Sequence, residues 1–382
     1  MAGPFSGTFA IRAIRDGDFQ ATIFAGTNTG LQGAVDYVQS AGGKVSIGPG
    51  TISITDDINI TGNKVTVEGA GDETIFSNDH ATGVDIFSVT GDNVTLCNFR
   101  IEGNNGSKTF GRGIDTDGDD TTIYNVTINA TPDACIASGA GGANFRTIVH
   151  GCRLLSPGDA GSTDGYGVLM SSCTDAKIYG NYVSAPRFSG IYAFGTCARP
   201  SISFNTVLNG LDNGIRSAST ATSARVFGNY VSGCAVDGFR MDGLDTVCSG
   251  NHSIGNTLAG IKTDGTTGGS WTGNICTGNG NSGLHVGNAV GNVTRLLIAK
   301  NYADSNTGAG VIVNPSTTRA HTNLFITGNL LTRNSFEGIR IIAASFPCTA
   351  FINSNASQGN VTSDTENLSA TNWTYPATGA KN

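Results

Sequence analysis

The sequence predicts an all-β solenoid, a single-stranded parallel β-helix covered at its N-terminal end by one short helix. Three observations predict it. An asparagine column recurs at Asn181, Asn205, Asn229, Asn251 and Asn274, with steps of 24, 24, 22 and 23 residues. A glycine column keeps pace with it at Gly190, Gly214, Gly238, Gly260 and Gly283. Between the two run short alternating bursts, such as Ala176-Lys-Ile-Tyr and Gly190-Ile-Tyr-Ala-Phe, each cut by Gly, Asn, Asp or Ser. A fixed step of about 20–50 residues marks a solenoid. Alternation in bursts too short for a helix marks strands.

Stacked strands lie about 4.8 Å apart, so repeated Asn side chains can form a hydrogen-bonded ladder within one turn of the coil. The repeated Gly is expected to supply positive φ at a tight corner. A leucine-rich repeat has a similar period, but its Leu-x-x-Leu-x-Leu pattern is absent.

A solenoid can absorb all 382 residues, where length alone would allow two or three domains. The boundaries read as an irregular lead-in over 1–30, a β-helix over 31–352 and an irregular C-terminal cover over 353–382. Within the β-helix, a capping helix spans about 31–41 and the rungs span 44–352. Leu31, Ala34, Val35 and Val38 share one helical face, Thr29 can cap its start, and Gly42-Gly43 ends it. No apolar run is long enough to span a membrane. A net charge of −7 argues against nucleic acid as a partner. No signal peptide is visible at the N-terminus, which suggests a virion-associated protein or one secreted after loss of its leader. The nine cysteines are odd in number and lack Cys-x-x-Cys spacing, which favours reduced, buried thiols. Cys173 and Cys197 sit at matching rung positions, so a disulfide between them is geometrically open.

After the helix comes Gly42-Gly-Lys-Val-Ser-Ile-Gly-Pro-Gly-Thr-Ile52. This opening resembles the start of many pectate-lyase-like proteins of the right-handed parallel β-helix superfamily, phage tailspike bodies among them. With the rungs, the resemblance covers about residues 30–360. It implies a right-handed coil, and it leaves function open because this fold hosts lyases, hydrolases, epimerases and binding proteins. Asn98 and Asn125 are read as continuing the Asn column, with Cys152 replacing it once. Gly113 and Gly167 continue the Gly column. Asp115–Asp120 and Ser156–Asp164 read as protruding loops. Later rungs carry Asn301 with Gly310, then Asn329 with Gly338.

Strand alternation decides which side chains leave the coil. After each column Gly comes an inward apolar residue: Ile191, Ile215, Phe239, Ile261, Leu284. The next residues must point outward, giving Tyr192, Arg216, Arg240, Lys262 and His285. Two positions on stand Phe194, Ala218, Asp242, Asp264 and Gly287. Like charges about 5 Å apart repel, so three stacked cations call for a function. A groove for an extended acidic polysaccharide supplies one. Tyr192 and Phe194 would stack on sugars, Arg216 would hold carboxylates, and Arg240, Lys262, His285, Asp242 and Asp264 would carry the chemistry. Paired acids suit glycoside hydrolysis. Lys262, with its basicity lowered by Arg240, suits proton abstraction in a lyase. The plainer alternative is a solvated ion-pair lattice that neutralises itself.

A second candidate rests on resemblance. Ala130-Thr-Pro-Asp-Ala-Cys-Ile-Ala-Ser-Gly139 resembles the Gly-Asp-Asp-Cys-Ile-Ala-x-x-Ser-Gly stretch of polygalacturonases, and Gly165-Tyr-Gly is similar to their Gly-His-Gly. Asp212-Asn-Gly-Ile-Arg216 is similar to their Asn-Gly-Val-Arg. The resemblance implies Asp133 as general acid, Tyr166 at the His position and Arg216 as a carboxylate ligand. Ala134, Tyr166 and Ser217-Ala218 depart from the pattern. The acids Asp115, Asp117, Asp119 and Asp120 could bind Ca²⁺, although they suit an ordinary turn better. No cofactor is required by anything in the sequence.

These readings converge on a polysaccharide-degrading enzyme, a glycoside hydrolase or polysaccharide lyase, acting on a uronate-containing polymer. The rival expectation is a non-catalytic viral or surface spike, with the β-helix as a receptor-binding shaft. The oligomeric state is expected to be monomer or homotrimer.

Overall fold

The structure is a computed structural model that describes residues 10–18, 20–108, 110–158, 165–287, 291–315, 321–342, 348–362 and 367–368. Apart from a single α-helix near the N-terminus and two short 3₁₀ turns it is all-β, a right-handed β-solenoid. The chain divides into two compact units, Met1–Arg187 and Phe188–Asn382. Each is built mainly of short parallel strands.

In the first unit the helix spans Asn28–Gln39 and buries Leu31, Ala34, Val35 and Val38, the predicted face. Its cap is Thr27, whose hydroxyl accepts the Gly30 N–H at 3.1 Å, and not Thr29. The described part of the expected lead-in, from residue 10, is not irregular. Ala10–Arg15 and Thr22–Ala25 form an antiparallel pair, and Ala10–Arg15 also pairs antiparallel with Gly43–Ile47. Alternation of Ile11 and Ala13, both buried, with exposed neighbours is what makes the first of these a strand. The C-terminal cover and residues 159–164 of the second expected loop lie largely outside the described residues.

Each turn of the coil closes through sharp corners, and the corners explain the asparagines. In the second unit Phe204, Gly228, Gly250, Gly273, Lys300, Gly328 and Ser354 all adopt left-handed φ between 54° and 65°. The residue after each is Asn205, Asn229, Asn251, Asn274, Asn301, Asn329 and Asn355. The side chains turn inward, and from Asn229 onward each Oδ1 accepts both the backbone N–H and the Nδ2–H of the Asn one turn earlier. For Asn229 receiving from Asn205 these are 2.9 and 3.0 Å. Its Nδ2 also donates back to a carbonyl, Ile202 O, at 2.9 Å. The amide is thus saturated, as a buried amide must be. A second, parallel ladder escaped the sequence reading. Asn256, Asn279, Asn306, Asn334 and Asn360 follow another left-handed corner and bond in the same way, as in Asn256 Nδ2 to Asn279 Oδ1 at 2.9 Å.

In the first unit the ladder position is apolar before Asn181. Strand register places Phe99, Val126 and Cys152 there, with Asn181 accepting the Cys152 N–H at 3.0 Å. Asn98 and Asn125 are therefore not ladder members. They occupy the left-handed corner itself, with φ of 59° and 52°, a conformation Asn tolerates. Phe99 instead packs edge-on against Phe76, with ring centroids 5.0 Å apart.

The glycine column is needed for closeness and not for φ. None of Gly190, Gly214, Gly238, Gly260 and Gly283 lies in the left-handed region. A Cβ on Gly214 would stand 2.2 Å from Val231 Cγ1. All nine cysteines are free and buried, so Cys173 and Cys197 form no disulfide.

Asn251→Ala should lower stability by about 2–4 kcal/mol in urea melts, because it strands the Asn229 N–H and amide inside the coil. A loss below about 1 kcal/mol would contradict the ladder's role. Gly214→Ala should cost about 1–3 kcal/mol, and Val231→Ala in the same chain should recover part of it. No recovery would mean that backbone conformation, and not the contact, excludes alanine.

Candidate functional site

The predicted outward column exists, and it lies in the second unit. Strands Ile191–Ala193, Ile215–Ser217, Phe239–Met241, Ile261–Thr263 and Leu284–Val286 pair in parallel. The register couples Tyr192 to Arg216, Arg216 to Arg240, Arg240 to Lys262 and Lys262 to His285. Ile312 and Arg340 extend the column. Each flanking residue is buried, so alternation alone turns these side chains out.

At one end the rings meet. Tyr192 and Phe194 stand 5.4 Å apart at 41°, and the Arg216 guanidinium lies 4.8 Å from the Tyr192 ring centroid. Tyr192 is nearly covered, whereas Phe194 is 47 % exposed. Such a pair offers an apolar surface with a cation at its edge. The Nε of Arg216 has no hydrogen-bond partner.

The two acids are not solvated. Asp242 and Asp264 are 2 % and 3 % exposed, which removes the expectation of a water-washed lattice. Asp242 Oδ2 accepts from Arg240 Nε at 2.8 Å, and its Oδ1 accepts the Asp264 N–H at 2.8 Å. Asp264 Oδ2 accepts from the other arm of Arg240 at 2.6 Å and lies 3.3 Å from the Lys262 ammonium. Its Oδ1 fits over Gly287, where a Cβ would come within 2.1 Å. The carboxylates are therefore committed as counter-ions that fix Arg240 and Lys262. Burial works against the charge on Arg240, yet Asp242 and Asp264 hold its guanidinium protonated more firmly than usual.

At the other end stands His285. Burial, reinforced by Lys262, lowers its pKa to about 4, so the imidazole is neutral at pH 7. Its Nε2 has no hydrogen-bond partner. Two further residues belong here that the sequence reading passed over. Asp237 and Ser282 each precede a column Gly, both are fully buried, and Asp237 Oδ2 and Ser282 Oγ lack partners. Asp237 Oδ1 accepts the Ala259 N–H at 3.0 Å. Burial raises the Asp237 pKa to about 6 against the pull of that N–H, Lys262 and Arg240. The signal was present in Asp237-Gly-Phe-Arg, whose first residue is an acid where the neighbouring rungs place Asn213 and Ala259.

The second candidate lies in the first unit. Asp133 Oδ2 accepts the Gly111 N–H at 3.2 Å, and the Tyr166 carbonyl accepts the Cys135 N–H at 2.9 Å. Both stand where the chain enters strands Ile136–Ser138 and Val168–Met170. Asp115 is not in a loop. It faces outward from strand Ile114–Thr116, pairs with Arg112 at 2.9 Å, and burial lifts its pKa to about 6. Asp117, Asp119 and Asp120 turn the following corner, where their carboxylates accept from Gly141 N, Phe145 N and Arg146. No group of three or more His, Cys, Asp or Glu among the described residues is arranged to hold a metal ion. No helix among them is long and apolar enough to cross a membrane.

Comparison with known proteins agrees with this architecture. Residues 112–270 match the family model described as a right handed beta helix region. No curated protein sequence matches the chain. Among solved structures it is similar to the A-module of an Azotobacter vinelandii mannuronan C-5 epimerase, at 14 % identity and TM-score 0.62, covering 91 % of this chain and 95 % of that one. It is similar to the Dettilon tailspike protein at 18 % identity and TM-score 0.62, covering 83 % and 64 % of the two chains. A Streptococcus pneumoniae surface protein and adhesin follows at 14 % identity and TM-score 0.56, covering 91 % and 95 %. At these identities the likeness is one of fold.

Asp237 and His285 should move acid stability in opposite directions. The His285 pKa falls from 6.5 to about 4 on folding, so its cost appears only as pH drops below 6.5. The Asp237 pKa rises from 3.8 to about 6, so its cost is complete above pH 6 and fades as pH approaches 3.8. Asp237→Asn should therefore raise the melting temperature at pH 7 and leave it unchanged near pH 4. An equal effect at both pH values would show that Asp237 is not buried in a charged state.

Proposed function

We propose that the second unit binds a uronate-containing polysaccharide along the Tyr192–His285 column and removes the proton next to a uronate carboxyl group. The observation that carries this reading is the pairing of committed acids with uncommitted ends. Asp242 and Asp264 are spent on Arg240 and Lys262, while the buried Arg216 Nε and His285 Nε2 have no hydrogen-bond partner. Rungs are about 4.8 Å apart, close to the length of one sugar, so an extended polymer meets one outward residue per unit.

Hydrolysis asks for one carboxyl that donates a proton and another that attacks or activates water. Asp242 has both oxygens taken and Asp264 keeps only Oδ1, so the pair cannot supply both an acid and a base. Proton abstraction suits the site better. Neutral His285 takes the proton from the carbon bearing the carboxylate. Lys262, one rung away, faces that carboxylate and stabilises the charge that develops on it. Loss of the oxygen at the neighbouring carbon then leaves a carbon–carbon double bond, and that oxygen departs as a hydroxyl after taking up a proton. Arg216 holds a carboxylate several sugars away, and Tyr192 with Phe194 forms the platform beyond it. The similarity in fold to a mannuronan C-5 epimerase supports the substrate class, because replacing the same proton on the opposite face would be epimerisation.

The test is a panel of polyuronates, followed by absorbance of unsaturated product, by reducing ends and by uronate composition. Elimination raises the first two together. His285→Ala should cut turnover by at least about a hundredfold, with Arg216→Ala acting mainly on KM. Reducing ends without absorbance would overturn elimination in favour of hydrolysis. Binding that depends on Arg216 without any turnover would favour the non-catalytic spike.

A further inference from the structure

A different face of the first unit carries a second constellation, independent of the column above. Strands Thr122–Asn129, Ile148–His150 and Lys177–Tyr179 pair in parallel, coupling Thr122 to Ile148 to Lys177 and Tyr124 to His150 to Tyr179. The residue between each pair, Ile123, Val149 and Ile178, is fully buried, so both columns face outward. The second column is a stack of rings. Tyr124 and His150 lie 5.3 Å apart at 7°, and His150 and Tyr179 lie 4.8 Å apart at 2°. Burial lowers the His150 pKa, which keeps the middle ring uncharged. Beside the first column is a cleft of about 590 Å³ lined by Asn93, Asp120, Arg146, Asp175 and Lys177 together with Thr122 and Ile148. That volume falls within the range of small-ligand sites.

We propose that this cleft and its ring stack bind a neutral saccharide, an oligomer of uncharged pyranoses. The lining bears two acids and two bases, whose charges cancel, so nothing selects an anion or a cation. Asp120 and Arg146 form a two-pronged pair, with Arg146 Nε and its terminal nitrogen each 2.5 Å from a carboxylate oxygen. Such planar forks, like the Asn93 amide, match pairs of adjacent sugar hydroxyls. The Lys177 ammonium has no ion-pair partner among the described residues and adds a donor. Ile148 and the exposed Tyr179 ring at the end of the stack supply the apolar surface that the C–H face of a pyranose needs. Three rungs span about 10–14 Å, which accommodates two or three sugars.

The experiment is calorimetric titration of the full chain with maltohexaose, cellohexaose and mannohexaose, with a hexauronate as the acidic comparison. At least one neutral hexasaccharide should bind at millimolar or lower concentration. Tyr179→Ala and Lys177→Ala should each weaken it about tenfold. Arg146→Gly should do the same without harming the fold, because Arg146 has φ of 58°, which glycine adopts freely. Arg216→Ala should leave this binding unchanged while weakening the hexauronate, which separates this site from the one in the second unit. The proposal is overturned if none of the three neutral sugars binds. Binding insensitive to all three cleft variants, or displacement of the sugar by hexauronate, would overturn it too. Concentration-dependent association of the chain that Tyr179→Ala abolishes would assign the face to a second copy instead.

Discussion

Everything outward in the second unit depends on amides stacked inside it. A chain that turns a sharp corner in every coil buries N–H groups that no strand can satisfy. The inward asparagines settle that cost by a closed rule: two bonds accepted from the turn before, one donated to the turn after and one to a nearby carbonyl. A slip of one residue would leave both ends of the rule unmet. Register is therefore fixed from within, and the outer faces inherit it.

Inherited register creates the electrostatic problem that defines the candidate site. Arg216, Arg240 and Lys262 must stand on adjacent strands because their neighbours Ile215, Phe239 and Ile261 must stand inside. The two central cations are stabilised by Asp242 and Asp264, which lie two residues further along their strands and are nearly inaccessible to water. A buried ion pair contributes little net stability, but removing one partner leaves an uncompensated charge. The lattice thus fixes geometry more than it stabilises the fold. Arg216 and His285 lack such partners.

The sequence made the outward column legible because two simple periods act together, two residues along a strand and one coil between strands. Tyr192 to His285 follows from counting. What failed was any property that depends on depth or contact. Asn98 and Asn125 look like ladder members, yet they sit one position earlier, since both a left-handed corner and an inward amide select Asn. The glycine column looked like a φ requirement because packing distance to Val207 or Val231 is invisible in a string of letters. Asp242 and Asp264 looked like exposed catalytic acids because burial of a charged residue is decided by the partners it finds. The second ladder was legible in Gly255-Asn256 and Gly278-Asn279, but it begins only at Asn256, with Cys234 at the same position one turn earlier.

The same logic explains why similarity of fold says so little about chemistry here. Inward positions must satisfy the ladder and the packing, and they can do so with many sequences, hence coverage above nine-tenths at 14 % identity. Outward positions answer to neither constraint. Along the corresponding sheet of the first unit the outward positions hold Asn59, Ser88 and Asp115, followed by the buried Ala137 and Leu169, whereas in the second they hold an aromatic, three cations and an imidazole. One architecture thus presents small polar side chains with a single acid in one unit and a cationic column in the other. Function in such a solenoid is set rung by rung, by whichever side chains the interior leaves free.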